Sequence, residues 1–189
     1  MTATSEGDSM SEYAPTHFKE HIRTVEDFPK PGIRFYDIAP LIGNGAVFAA
    51  SIEAMARPLE GEVDKVVGFD ARGFLFGGAL ATRLGVGLVM LRKPGKLPGE
   101  VLEVSYDLEY GTNSLQLQAD VLSAGDRVVL VDDVIATGGT AIAGVDLVEQ
   151  AGATVTEFCA VIDLPDLGGS ARIAERVPVR TLVQYESGE

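Results

Sequence analysis

Val128-Val129-Leu130-Val131-Asp132-Asp133-Val134-Ile135-Ala136-Thr137-Gly138-Gly139-Thr140 is the stretch that decides the fold. Its first four residues are apolar without polar alternation, the pattern of a strand buried on both faces. Two carboxylates follow, and a run of small residues leads into helical spacing over Gly139 to Gln150. Strand, tight loop and helix in that order make one unit of an α/β sheet. The order recurs around it: Lys65 to Phe69 reads as a strand, Gly73 to Leu84 as a helix, Gly87 to Leu91, Arg127 to Val131 and Val155 to Ile162 as strands. Apolar strands separated by helices predict a central parallel sheet flanked by helices that cover both of its faces.

Upstream, Phe18, Ile22 and Val25 have the spacing of a short amphipathic helix over Thr16 to Val25, stopped by Pro29 and Pro31. Ile33 to Ile38 is strand-like, and Ala46 to Leu59 is helical. Residues 1–14, small and polar, are expected to be a flexible leader, and 15–189 a single domain. Lys93 to Asp120 breaks the alternation. Within it, Val101 to Tyr106 and Ser114 to Gln118 read as two antiparallel, half-exposed strands joined by a turn at Gly111. An inserted hairpin after a basic, Gly/Pro-rich loop is suited to closing over a ligand.

Composition narrows the function classes. The 189 residues carry 15 Lys plus Arg against 28 Asp plus Glu, a net charge of −13, and 46% are hydrophobic. That fraction rules out global disorder, and the acidic balance disfavours nucleic acid and anionic lipid as partners. No export signal or membrane-length apolar run is visible, so the expected compartment is the cytoplasm. Cys159, the single cysteine, lies in Phe158-Cys159-Ala160-Val161-Ile162 and reads as a core thiol. Charge is unevenly spread: Ala71 to Gly99 holds Arg72, Arg83, Arg92, Lys93 and Lys96 and no acid. Alone, such an island fits either a solvated loop or a site for a small anion.

The ends of the strands favour the anion. Ligands of open parallel sheets bind outside the carboxyl ends of the strands. Lys65-Val66-Val67-Gly68-Phe69 delivers Asp70-Ala71-Arg72, Leu88-Val89-Met90-Leu91 delivers Arg92-Lys93, and Val128 to Val131 delivers Asp132-Asp133. At a helix N-terminus, the backbone N–H groups of Ala136-Thr137-Gly138-Gly139-Thr140 would hold a phosphate, with Thr137 and Thr140 adding hydroxyls. Asp132 and Asp133 would repel both each other and a phosphate, so their targets are neutral hydroxyls or a divalent cation. A phosphorylated ribose with Mg²⁺ meets these demands.

Competing motifs fail. Gly95-Lys96 is followed by Leu97 and lacks the earlier glycine of a P-loop, and Gly85-Val86-Gly87-Leu88-Val89-Met90 lacks the third glycine of a dinucleotide turn. His17-Phe18-Lys19-Glu20-His21 matches an H-x-x-E-H zinc pattern, but these are the chain's only two histidines and a third ligand is needed.

The segment Asp132 to Thr140 resembles the phosphoribosyl pyrophosphate (PRPP) motif of the type I phosphoribosyltransferases. Phe28-Pro29-Lys30-Pro31-Gly32-Ile33-Arg34-Phe35-Tyr36-Asp37-Ile38, Arg92-Lys93-Pro94-Gly95-Lys96-Leu97-Pro98-Gly99 and Leu108-Glu109-Tyr110-Gly111 narrow the resemblance to the adenine-specific branch, from about Phe18 to Tyr185. The resemblance implies that family's fold, a parallel sheet with a small N-terminal hood and an inserted flexible hairpin loop. It implies transfer of the phosphoribosyl group from PRPP to N9 of adenine, with AMP and pyrophosphate as products, Mg²⁺ as cofactor, and a homodimer. By the same resemblance Ala136, Thr137, Gly138, Gly139 and Thr140 hold the 5′-phosphate, and Asp132 and Asp133 take the ribose hydroxyls. Arg72, Arg92 and Lys96 bind pyrophosphate, Arg92 across the dimer interface. Phe35 and Val134 sandwich the purine, Arg34 and Tyr36 offer backbone groups to it, and Glu109 and Tyr110, with Arg72, serve catalysis. Asp70-Ala71 matches a position where the family often has a non-proline cis peptide. Tyr36 departs from the Arg or Lys common there. Two alternatives stay open at this point: another nucleobase as acceptor, or a PRPP-sensing regulator, which would need a basic face or a DNA-binding segment that the chain does not show.

Overall fold

The computed structural model of the chain describes residues 15–107 and 112–186. The leader over residues 1–14 and the hairpin turn at Gly111 lie outside the described residues. The chain divides into two compact units, Met1–Ala54 and Met55–Glu189.

In the first unit, α1 (Pro15–Glu20) precedes an antiparallel pair of short strands, β1 (Arg23–Val25) and β2 (Phe35–Asp37), with Thr24 opposite Tyr36. The helix thus ends earlier than the spacing of Phe18, Ile22 and Val25 predicts. His21 and Ile22 close it by donating to the carbonyls of Phe18 (3.0 Å) and Lys19 (3.1 Å), and the β-branched Thr24 and Val25 enter the strand pair. The Arg23 guanidinium reaches across the pair to Asp37. Between the strands the chain folds back on itself: Gly32 N–H donates to the Asp27 carboxylate at 2.7 Å, and the rings of Phe28 and Phe35 meet edge to face at 5.2 Å. Next come α2 (Ala39–Gly43) and α3 (Gly45–Ala56); the Asn44 side chain accepts from the N–H groups of Ala46 and Val47 and so caps α3.

The second unit runs β3 (Lys65–Phe69), α4 (Gly73–Leu84), β4 (Gly87–Leu91), β5 (Val101–Asp107), β6 (Thr112–Gln118), β7 (Arg127–Ile135), α5 (Gly139–Gln150), β8 (Thr154–Asp163), α6 (Gly169–Ala174) and β9 (Val179–Gln184). Five strands form one parallel sheet in the order β4-β3-β7-β8-β9. Val66 and Val67 of β3, Val128 to Val131 of β7 and Phe158 to Ile162 of β8 are buried on both faces, as uninterrupted apolar runs require. Cys159 sits among them, and burial pushes its thiol pKa well up, the behaviour of an inert core thiol.

Three features differ from the expectation. β7 continues past its apolar run to Ile135, because β8 pairs with it through Asp132↔Ala160 and Val134↔Ile162; both aspartates therefore lie inside the strand rather than in the loop after it. β4 is an edge strand whose Leu88 and Met90 are each 40% exposed, so the sheet is not covered throughout. β5 and β6 form the inserted hairpin, but Leu115 and Leu117 are buried and Leu102, Val104 and Tyr106 pack on the core. A two-way backbone bridge between Arg92 and Gln116 ties the hairpin to the end of β4.

Candidate functional site

Because the five strands are parallel, their carboxyl ends share one edge, and the segments that follow β3 and β7 meet there. A cleft of about 470 Å³ opens at this edge, entirely within the second unit. Of the site residues predicted from sequence, it is lined by Arg72, Asp132, Asp133, Val134, Ala136, Thr137, Gly138, Gly139 and Thr140.

The loop from Ala136 to Thr140 is shaped by close backbone packing. Gly138 has φ +77°, which an L side chain rarely adopts, and it stands at the N-cap of α5. No side chain caps that helix, so the N–H groups of its first turn, at the cleft-lining Gly139, Thr140 and Ala141, are left for an anionic ligand. The loop is braced from behind: Gly169 N–H donates to the Ala136 carbonyl at 3.1 Å, and a Cβ on Gly169 would overlap that same carbonyl.

The charged groups are arranged in pairs. Arg72, at the start of α4, places Nε 2.6 Å from Oδ2 of the buried Asp133. Gly73 lets α4 approach β7 this closely, since a Cβ there would come 2.7 Å from the Val131 carbonyl and 3.0 Å from an Asp132 carboxyl oxygen. Asp132 is half-buried by area, yet its carboxyl is walled in by protein. That desolvation raises its pKa well above the ordinary carboxylate value, and the neighbouring Asp133 charge adds to the rise. The Asp133 N–H donating at 2.8 Å and the Arg72 charge oppose it. The Asp70–Ala71 peptide between β3 and α4 is cis, at the position where the family resemblance places one.

Arg92 and Lys96 do not line the cleft. Arg92 Nε is held 2.9 Å from the carboxylate of Asp70, which does line it, while the guanidinium lies 5.8 Å from the centre of the Phe74 ring. Arg34, Phe35 and Tyr36 lie together in the first unit, at and beside β2; Arg34 Nε donates to Glu26 at 2.7 Å, and Phe35 meets Phe28. Glu109 and Tyr110 lie outside the described residues. Lys93, which the sequence delivers to this edge after β4, lines the cleft; so do Tyr106 and Asn113, which sequence reasoning passed over as site residues. Lys93 belongs to the basic island, and Tyr106 continues the inward alternation of Leu102 and Val104, but which pocket they reach is set by the hairpin's docking.

No group of three or more His, Cys, Asp or Glu among the described residues is placed to hold a metal. Asp132 and Asp133 offer hard oxygens at the cleft, a set that suits Mg²⁺ only when a ligand supplies most of the shell.

What this arrangement can do is bind a phosphate at the α5 terminus, a hydroxyl pair at the acids, and a second anion near Arg72 and Lys93. The chain is similar to known proteins along most of its length. The phosphoribosyl transferase domain matches residues 38–182. Adenine phosphoribosyltransferase from Methylobacterium nodulans is 51% identical over 170 residues, covering 89% of this chain and 94% of its own. The solved structure of adenine phosphoribosyltransferase from Rhodothermus marinus is 48% identical with a TM-score of 0.86, covering 90% of this chain and 98% of its own. That of the Saccharomyces cerevisiae protein, complexed with adenine and D-2,5-dideoxy-2,5-imino-altritol 1,6-bisphosphate, is 40% identical with a TM-score of 0.86, covering 92% and 99%.

Proposed function

The chain belongs to the phosphoribosyltransferase family, and on that premise we infer its reaction: it transfers the 5-phosphoribosyl group of PRPP to N9 of adenine, releasing AMP and pyrophosphate, a step of purine salvage. The observation that carries the site is the gathering of Arg72, Asp132, Asp133 and the Ala136–Thr140 loop around one cleft. Relatives named for adenine at about half identity over nearly the whole chain disfavour another base or a purely regulatory role.

Roles follow from chemistry. The amides of Ala136 to Thr140 take the 5′-phosphate, and Asp132 and Asp133 accept from the ribose hydroxyls. As the bond to pyrophosphate breaks, the anomeric carbon becomes cation-like and the leaving group gains charge, which Arg72, Arg92 and Lys96 stabilise. Because Asp133 already orients Arg72, one carboxylate fixes both the sugar and the guanidinium that faces the leaving group. Val134, which lines the cleft, packs on the purine while N9 attacks, and Glu109, with its sequence neighbour Tyr110, accepts the proton the base gives up. Asp132 and Asp133 are the residues that would touch Mg²⁺, which in the PRPP complex supplies neutralisation of the departing diphosphate.

A homodimer completes the reading. α4 and β4 leave Leu75 (49% exposed), Leu88 and Met90 open beside an edge strand, an apolar face suited to a second copy. Arg92 directly follows this strand, consistent with a pyrophosphate ligand close to the subunit boundary. No helix among the described residues is long and apolar enough to cross a membrane, and the cytoplasm is the compartment this reading assigns. Incubation of the purified protein with PRPP, Mg²⁺ and adenine should yield AMP and pyrophosphate in equal amounts; nucleotide formed from another base but not from adenine would reassign the substrate.

A further inference from the structure

In the phosphate loop the Thr140 hydroxyl is already engaged by the hairpin: its Oγ1 donates to the Tyr106 hydroxyl at 3.2 Å. Both residues line the cleft, and so does Asn113, the partner of Tyr106 across the hairpin. The Tyr106 ring packs on the core, which fixes where its hydroxyl stands. One residue further on, at Asp107, β5 ends.

A phosphate oxygen is an acceptor only, so Thr140 cannot serve it while its proton points at Tyr106. A phenol both donates and accepts. We propose that Tyr106 is a positioning residue for 5′-phosphate recognition: when the phosphate arrives, the hydrogen bond between the two hydroxyls reverses, Tyr106 donating to Thr140 Oγ1 and Thr140 donating to a phosphoryl oxygen. No covalent bond changes; two hydroxyl rotors turn. The reversal ties Tyr106, near the end of β5, to occupancy of the phosphate loop. At its other end the hairpin is already fixed, Gln116 accepting from Gly95 N–H at 3.2 Å and donating to Glu103 at 2.7 Å. Tyr106 is therefore the contact that registers the ligand.

This inference rests on the phosphoribosyltransferase reading, and its test separates the two. Binding of AMP, adenosine and pyrophosphate is measured by calorimetry on the wild type, Tyr106→Phe, Thr140→Ala, Thr140→Ser and the Tyr106→Phe/Thr140→Ala double variant. Tyr106→Phe keeps the packed ring and loses only the hydroxyl. A hydrogen bond of this kind predicts that AMP binds about 3- to 10-fold more weakly to it, with adenosine and pyrophosphate unchanged. Thr140→Ser keeps AMP affinity near wild type. In the double variant the loss equals that of Thr140→Ala alone, because the phenol acts only through Thr140. Wild-type AMP affinity in Tyr106→Phe, equal weakening of AMP and adenosine, or full additivity in the double variant would each overturn the relay while leaving the enzyme's activity standing. Failure of the wild type to bind AMP would instead overturn the underlying reading and the relay with it.

Discussion

Replacing Gly169 with alanine should disable the phosphate loop without replacing any residue that meets substrate. The added Cβ would overlap the Ala136 carbonyl and stand 2.7 Å from Gly138 N and 2.9 Å from the Ala136 carbonyl carbon. These are backbone atoms, so no flexible side chain can yield. Ordinary contact begins near 3.4 Å, so the loop must retreat from the new methyl group by about 0.7 Å at Gly138 and further at Ala136. The 3.1 Å hydrogen bond from Gly169 to Ala136 is lost or stretched in the process. A misplacement of about 1 Å at a positioning group can cost about 100-fold, so kcat/KM for PRPP should fall about 10- to 100-fold. Overpacking costs roughly 1 to 3 kcal/mol, which a domain of ordinary stability survives. Steady-state kinetics with PRPP varied, beside thermal unfolding by circular dichroism, reads both effects. Gly43→Ala, where a Cβ meets nothing within 4 Å, is the control. A folded Gly169→Ala protein with kcat/KM within twofold of wild type would refute the bracing role.

Three further outcomes are expected. Asp132→Asn and Asp133→Asn should each lower kcat/KM about 10- to 100-fold through lost hydrogen bonds to the ribose, and Asp133→Asn should also lower Tm because it unpairs Arg72 from a buried partner; unchanged kinetics in the folded double variant would remove the acids from the site. Glu109→Gln should reduce single-turnover rate by about 10²- to 10⁴-fold with little change in PRPP affinity, and a wild-type rate would leave Glu109 without a chemical role. Met90→Glu together with Leu88→Glu should shift the protein to monomer in sedimentation; a dimer that persists would place the interface elsewhere.

The elements read best from sequence are those bounded by both apolar pattern and punctuation. β3, α4, β4 and α5 begin and end where Lys65-Phe69, Gly73-Leu84, Gly87-Leu91 and Gly139-Gln150 predict, because glycines and charges mark the ends of the apolar runs. β7 was harder, since its last residues are held by pairing with β8 rather than by their own hydrophobicity. β9 carries Arg180, whose guanidinium pairs with Glu157 of the neighbouring strand; a strand completed by a partner 23 residues away leaves little local pattern. The site divides in the same way. The acids and the small-residue loop lie within nine residues of one another and announce themselves. The Arg72–Asp133 pair, the Arg92–Asp70 pair, the bracing by Gly169 and the Tyr106–Thr140 bond join segments distant in sequence, and only the assembled sheet edge brings them together.

The central claim is tested most directly by kcat/KM for adenine, hypoxanthine and guanine measured with PRPP and Mg²⁺ on one preparation. Adenine offers a donor at N6 and an acceptor at N1, whereas the oxopurines offer the reverse. A pocket that reads them with peptide groups beside Arg34 and Tyr36 cannot exchange its donors for acceptors. Two mismatched buried groups at about 1 to 3 kcal/mol each predict a preference for adenine of several hundred-fold or more, retained in Tyr36→Phe because the phenol is not the reader. Comparable kcat/KM for adenine and hypoxanthine in the wild type would contradict the account.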